Sequence, residues 1–105
     1  MKKYYVYILE CSDKSYYIGV TNNLERRLSE HTNGTADSYT SKRKPLFLRK
    51  FFDFVDIREA ISFEKQIKKW SRVKKEALIQ ENWDKLTVLS MNTLRQAQGD
   101  NRGLR

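Results

Sequence analysis

Residues 4–20 read YYVYILECSDKSYYIGV, and this stretch decides the fold. An aromatic and β-branched run over residues 4–9 is followed by the polar connection of residues 11–15 and by a second run over residues 16–20. Residues of these types favour the half-buried surface of a pleated sheet. Two such runs around a short polar connection therefore predict a β-hairpin.

The register of this hairpin decides which tyrosines face the same side of the sheet. Successive strand residues point to opposite faces, so a shift by one residue moves every side chain to the other face. Tyr7 and Tyr17 share a face only if the two residue numbers of each directly opposite pair add to an even sum. Tyr7 opposite Gly19 is an example of such a pair. Gly19 also removes a side chain where another backbone or a ligand could approach closely. A shared face for the two tyrosines is the expectation.

The remaining sequence predicts one further strand and three helical segments. Asn22 and Glu25 have the spacing of a capping box, which marks the start of a helix. The expected elements after the hairpin are, in chain order, a helix from residue 24 that stops at Asn33-Gly34, a loop over residues 35–45, a strand over residues 46–55, a helix that begins at Asp56, and a helical stretch over residues 73–80.

This order, β-β-α-β-α-α, predicts an α+β fold with two layers, in which helices pack on a three-stranded, mostly antiparallel sheet. The length of 105 residues leaves room for one such core. We expect the domain to occupy residues 1–85 and a C-terminal extension to occupy residues 86–105. From about residue 92 no sustained period is visible, so disorder is expected there.

Composition and charge narrow the class of protein. Hydrophobic residues make up 39% of the chain, enough for a packed core. Lys and Arg number 21 against 13 Asp and Glu, a formal charge of +8, and such a field attracts polyanions such as nucleic acid. The apolar run near the start is too short for a secretory segment or a membrane span. Cys11 is the one cysteine, which favours a reducing compartment, and we expect a cytoplasmic protein without a membrane partner.

The first predicted helix turns polar side chains toward the core. Residues of a helix are about 100° apart, so Arg27 and His31 fall on the same stripe as Leu24 and Leu28. Charged groups are rarely buried without a partner or ligand, and this placement favours a bound anion. The alternative is that Arg27 extends past the edge of the stripe and His31 is a hydrogen-bonded, structural imidazole.

The second long helix repeats the anomaly with a glutamate. The apolar residues of its stripe are Ile57, Ala60, Ile61, Phe63, Ile67 and Trp70. Glu64 interrupts that stripe, and a buried carboxylate needs a cation or a hydrogen-bond donor. Metal binding and an ion pair with Arg27 or a lysine are both open readings.

Two groups of basic residues lie beside these positions: Lys42, Arg43 and Lys44 before the third strand, and Lys68, Lys69 and Arg72 after Glu64. Charge runs are usually solvated faces. Beside a site with an inward arginine and glutamate, they favour contact with a nucleic-acid backbone.

Together these residues resemble the GIY-YIG nuclease superfamily. The resemblance rests on Tyr5-Val6-Tyr7 and Tyr17-Ile18-Gly19, on the run from Asn22 through Arg27 to His31, and on Tyr39-Thr40, Lys44-Pro45-Leu46 and Glu64 with Lys68-Lys69-Trp70. It covers roughly residues 1–85 and is closest to the small stand-alone bacterial branch, the URI type.

The resemblance implies a phosphodiesterase that acts on DNA with one divalent ion, Mg²⁺ or Mn²⁺, in repair or recombination. It implies that Tyr7 takes a proton from the attacking water, directly or through a relay, that Tyr17 orients the water or the phosphate, and that Arg27 steadies the phosphate. His31 matches a position held by His or Tyr in relatives. Glu64 matches the metal-binding glutamate. A protein partner is compatible with the small size of the chain.

The sequence departs from the family pattern at Val20, where excision-repair relatives place a lysine. A rival reading is therefore a nucleic-acid-binding module that keeps the GIY-YIG fold without turnover. A further reading, an RNA binder that stacks bases on Tyr5 and Tyr7, lacks the usual RNP signature.

Overall fold

The structure is a computed structural model that describes residues 2–89. The chain divides after Lys69 into two compact units, and each is described by itself. The predicted disorder from about residue 92, and most of the predicted extension, lie outside the described residues.

The first unit is built on a three-stranded antiparallel sheet. Its strands are β1 (Tyr4–Glu10), β2 (Tyr16–Thr21) and β3 (Phe47–Phe54), in the order β2-β1-β3. The middle of β1 is at most 2% exposed, because this strand is covered on both edges and both faces. β3 is one residue shorter at each end than the predicted strand, and the predicted sheet is confirmed.

The hairpin has the predicted register. Tyr7 is paired with Gly19 and Leu9 with Tyr17, so the two tyrosines lie on one face of the sheet. On the other edge of β1, Phe51 lies opposite Tyr7, and the register of this ladder shifts between Ile8 and Leu9.

Three helices belong to this unit: α1 (Leu24–Asn33), α2 (Ser38–Ser41) and α3 (Ile57–Lys68). Phe63 of α3 packs on Phe52 and Phe54 of β3, with ring centroids 5.1 and 5.5 Å away. Apart from the single turn α2, the order of elements and the α+β class are those predicted.

Two local predictions about the helix ends and the loop were wrong. The N-cap of α1 is Asn23 rather than Asn22, because the Oδ1 atom of Asn23 accepts from the backbone N–H of Arg26 at 3.0 Å. The predicted loop over residues 35–45 contains α2, whose N-cap is Asp37; its carboxylate accepts from the backbone N–H of Tyr39 at 2.7 Å. One helical turn is too short to leave a periodic pattern in the sequence.

The apolar stripe of α3 is narrower than predicted. Ala60 and Ile67 are fully buried, whereas Ile57 and Ile61 are 37% and 36% exposed. The buried side of α3 therefore runs along residues 60, 63, 64 and 67, and Glu64 lies within it. The predicted N-cap, Asp56, is confirmed.

The second unit contains α4 (Arg72–Ile79) and a helical segment over residues 83–89. Ser71 is the N-cap of α4 and accepts from the backbone N–H of Lys74 at 3.2 Å. The Nζ atom of Lys74 lies 4.3 Å from the ring centroid of Trp70. The helical stretch predicted over residues 73–80 is confirmed. Within residues 2–89, no helix is both long and apolar enough to cross a membrane.

Candidate active site

Tyr7 lies at the centre of the candidate site and is fully buried. Its ring covers Gly19 of the neighbouring strand: a Cβ atom built on Gly19 would lie 2.6 Å from the Cζ atom of Tyr7 and nearer still to its hydroxyl oxygen. Carbon atoms in contact are normally about 3.5–4.0 Å apart. Gly19 therefore makes room for the Tyr7 phenol itself, rather than for the second backbone or the ligand that the sequence suggested.

His31 joins this phenol to α2. Its Nε2 atom is 2.8 Å from the Tyr7 hydroxyl, and its Nδ1 atom is 2.9 Å from the Thr40 hydroxyl. The imidazole is 1% exposed. Burial, and then the charge of Arg27, lower the pKa of His31, so the ring is neutral at pH 7. His31 is thus a buried, neutral imidazole with a partner on each nitrogen.

Arg27 lies one turn before His31 on α1. Its Nε atom donates to the Tyr7 hydroxyl oxygen at 3.4 Å, and its NH1 atom donates to the carboxylate of Glu30 at 3.1 Å. Burial raises the pKa of Tyr7, and the nearby Arg27 guanidinium partly offsets this. Glu30 supplies one anion for the inward arginine. The Arg27 side chain is 30% exposed, so it can also meet a ligand from solvent.

Tyr17 is fixed by a different residue. Its hydroxyl donates to the Oδ2 atom of Asp37 at 3.1 Å, and its ring centroid is 5.1 Å from that of His31 and 6.3 Å from that of Tyr7. Burial, followed by the neighbouring Tyr7 and Asp37, raises the pKa of Tyr17 to about 12. Tyr17 is therefore a neutral hydrogen-bond donor at neutral pH.

Glu64 interacts with Tyr7 through its charge, which contributes to raising the pKa of that phenol. Its side chain is 12% exposed, and its carboxylate pairs with the Nζ atom of Lys68 at 2.8 Å. The predicted lysine pair is thus present. Within residues 2–89, no group of three or more His, Cys, Asp and Glu side chains could hold a metal ion. A single carboxylate still suits Mg²⁺, which keeps several waters and is often completed by substrate phosphates.

Most of the predicted basic residues have partners inside the protein. The Arg43 guanidinium lies 3.7 Å above the Tyr39 ring and donates to Asp13 at 3.0 Å, while Tyr39 in turn stacks on Tyr17. Lys44 donates to the backbone carbonyl of Thr32 at 3.1 Å. Two of the other predicted DNA-contacting residues, Lys42 and Lys69, are exposed. Lys68 pairs with Glu64, and in the second unit Arg72 pairs with Glu76.

Sequence reasoning missed Asp37 and Thr40 as parts of the site. Asp37 holds the Tyr17 hydroxyl, and Thr40, which is fully buried, holds His31. Asp37 had a usable signal, since an aspartate directly before a polar segment is a common N-cap. The only sequence signal for Thr40 was that the pair Tyr39-Thr40 is part of the resemblance to the GIY-YIG family.

Comparison with known proteins assigns the class. Residues 3–77 match the model of the GIY-YIG catalytic domain, and the chain belongs to this nuclease-type family. It is similar to small stand-alone UPF0213 proteins: 47% identical to one from Clostridium perfringens, over 77% of this chain and 94% of that protein, and 44% identical to one from Haloquadratum walsbyi, over 77% and 91%.

Solved structures agree with this assignment. The solution structure of a UPF0213 protein from Bacillus halodurans is 41% identical and matches 74% of this chain and 83% of its own, with a TM-score of 0.51. That of a protein from E. faecalis is 37% identical and matches 77% and 86%, with a TM-score of 0.56. The predicted family and fold are confirmed.

Proposed function

We propose that this protein is a nuclease that hydrolyses phosphodiester bonds in DNA with a divalent ion, Mg²⁺ or Mn²⁺, in repair or recombination in the cytoplasm. The observation that carries the proposal is the Tyr7 hydroxyl, held between the Nε2 atom of His31 at 2.8 Å and the Nε atom of Arg27 at 3.4 Å. A buried phenol between a neutral imidazole and a guanidinium is suited to moving a proton.

Tyr7 acts as the proton acceptor for water through a relay. Burial raises its pKa, so a free phenolate is scarce at neutral pH. The phenol oxygen can take a proton from the attacking water if it passes its own proton to the Nε2 atom of His31. Because the pKa of His31 is lowered, its imidazole is in the neutral form that this transfer needs.

Arg27 and Tyr17 act on the phosphate and the water. The guanidinium of Arg27 is partly open to solvent and carries the positive charge that the transition state of phosphodiester hydrolysis requires. The Tyr17 hydroxyl proton is directed to Asp37, which leaves its oxygen free to accept a hydrogen bond from the attacking water.

Glu64 would hold the divalent ion. A bound ion supplies charge neutralisation at the leaving oxygen. Lys68 pairs with the Oε2 atom of this carboxylate at 2.8 Å, and its side chain is 54% exposed, so it is free to turn toward solvent when the ion takes that oxygen. The exposed residues Lys42 and Lys69 contact the DNA backbone, joined by Arg43, Lys44 and Lys68 of the same unit. Arg72 of the second unit is proposed as a DNA contact by itself.

The test is cleavage of single-stranded, duplex and branched DNA and of RNA, with Mg²⁺ or Mn²⁺. General-base action is worth roughly a hundredfold or more, so Tyr7→Phe should lower the rate at least about a hundredfold. Tyr4→Phe is the matched control, since Tyr4 lies in the same strand on a different face from Tyr7. Cleavage by Tyr7→Phe at the wild-type rate would refute the proposed role of the phenol.

The pair between Lys68 and Glu64 favours a second candidate, a binding module of the same fold that lacks turnover. In that case the lysine permanently replaces the cation that the carboxylate needs. Binding without cleavage on every substrate, in both wild type and Lys68→Ala, would support this candidate. Cleavage that disappears in Glu64→Ala would exclude it.

A further inference from the structure

The Thr40 hydroxyl lies between two groups that restrict where its proton can go. Its Oγ1 atom is 3.2 Å from the backbone carbonyl oxygen of Asp37 and 2.9 Å from the Nδ1 atom of His31. The carbonyl oxygen of Asp37 can only accept. It already accepts from the backbone N–H of Ser41 at 3.0 Å, and its second lone pair can take the Thr40 hydroxyl proton, which leaves the Thr40 oxygen to accept from His31. In this arrangement His31 carries its hydrogen on Nδ1.

The Tyr7 end of the chain favours the same assignment. Arginine is a donor without an acceptor atom, so Arg27 must donate to the Tyr7 oxygen. The phenol hydrogen then needs an acceptor of its own, since a buried hydroxyl that donates to nothing is costly. His31 Nε2, at 2.8 Å, accepts it only if that nitrogen carries no hydrogen.

We propose that Thr40 is a positioning residue that fixes His31 in the Nδ1–H tautomer and so keeps Nε2 open for the proton of Tyr7. The hydrogen on one ring nitrogen is set by the bond that the other nitrogen makes. The tautomer itself rests on geometry alone, whereas its consequence for catalysis rests on the proposed function.

The proton balance of the proposed step depends on this tautomer. As the oxygen of water bonds to phosphorus, the bond from phosphorus to the leaving ester oxygen breaks, and that oxygen takes a proton from solvent. One O–H bond of the attacking water breaks and a new O–H bond forms on Tyr7. The original O–H bond of Tyr7 breaks and an N–H bond forms on Nε2 of His31. The resulting imidazolium keeps its Nδ1–H on Thr40. In the other tautomer Nε2 already carries a hydrogen, and the transfer stops.

The experiment uses the full chain labelled with ¹⁵N. His31 is the one histidine of the sequence, so the imidazole signals in a long-range ¹H–¹⁵N spectrum at pH 7.5 have a single assignment. The wild type should show Nδ1 of the protonated type and Nε2 of the unprotonated type. A wild-type spectrum with the hydrogen on Nε2 would overturn the proposal.

Variants separate the hydroxyl from the packing. Thr40→Val keeps the shape but removes the acceptor, so the spectrum should shift toward the Nε2–H tautomer; Thr40→Ser should restore the wild-type pattern. Thr32→Val is the matched control, because that hydroxyl donates to the carbonyl of Leu28 on the same helix. A Thr40→Val protein that folds and keeps the wild-type tautomer would refute the role of Thr40. If that variant fails to fold, the wild-type and Thr40→Ser spectra decide.

Cleavage rates give the second readout. Thr40→Val should lose about a hundredfold in kcat, as expected when one general acid–base group is disabled, and Thr40→Ser should recover most of it. A wild-type protein that cleaves no substrate refutes the proposed function, while the spectrum still tests the tautomer. Wild-type cleavage with full activity in Thr40→Val refutes the positioning role alone.

Discussion

Substituting Gly19 by alanine tests the packing of Tyr7 directly. The added Cβ atom would lie 2.6 Å from the Cζ atom and 3.0 Å from the Cε2 atom of the Tyr7 ring. Carbon atoms in contact prefer about 3.5–4.0 Å, so the ring must retreat by about 1 Å. Such overpacking of a filled site typically costs about 1–3 kcal/mol of unfolding free energy.

The same displacement should damage the site more than the fold. The bond between the Tyr7 hydroxyl and Nε2 of His31 is 2.8 Å long, and a retreat of about 1 Å would take it beyond hydrogen-bonding distance. A misplacement of that size in an active site costs roughly a hundredfold in rate. We therefore expect Gly19→Ala to be moderately less stable and about a hundredfold slower.

The assay combines urea unfolding with initial cleavage rates of Gly19→Ala, Tyr7→Phe and the double variant. Removing the hydroxyl frees the ring to move, so Gly19→Ala should cost less stability in the Tyr7→Phe background than in the wild type. Coupling of about 0.5–3 kcal/mol is usual for residues in contact. Wild-type stability and wild-type cleavage in Gly19→Ala would refute the placement of the phenol over this glycine.

Three further predictions concern stability and binding. The pKa of His31 in the folded protein is lowered from 6.5, so the unfolded chain binds more protons than the folded one. The stability that the neutral imidazole contributes should be fully present above pH 6.5 and should be lost as the pH falls through the folded pKa. Urea midpoints measured from pH 7.5 to 5 should show this loss in wild type and a smaller loss in His31→Gln. Ile67→Ala should lose about 2–5 kcal/mol of unfolding free energy, because Ile67 is fully buried, whereas Ile61→Ala, at a position 36% exposed, should lose much less in the same urea titration. Lys42→Ala should weaken DNA binding similarly for all sequences and lower the slope of log affinity against log salt by about 1, measured by titration at several salt concentrations; an unchanged slope would place Lys42 outside the interface.

Much of the fold follows from local patterns in the sequence. The hairpin needs only two apolar runs and a five-residue connection. Alternation places Tyr7 and Tyr17 on one face only for a register with an even sum, and the pairing of Tyr7 with Gly19 supplies that register. Helical angles are equally local, so Arg27 and His31 could be placed on the inner stripe of α1 without any structure. The capping residue of α1 differed by one position, because Asn22 and Asn23 are chemically equivalent and only the backbone conformation selects between them.

Other features required the three-dimensional arrangement. The stripe of α3 was predicted too wide, since Ile57 and Ile61 are apolar but lie at the edge of the contact with the sheet. From the sequence, Glu64 could bind a metal ion or form an ion pair. Its distance to Lys68 shows that, within the protein itself, it forms an ion pair with this lysine.

The sequence by itself placed Tyr7 in a strand and Arg27 and His31 on the inner stripe of a helix, because strand alternation and helical periodicity are properties of the local sequence. Only the tertiary structure decided that these side chains meet and which residues hold them in place. Asp37 meets Tyr17 from 20 residues away, and Thr40 meets His31 from nine. Each contact depends on where a four-residue helix packs, and the spacing of residues along a chain does not encode that position.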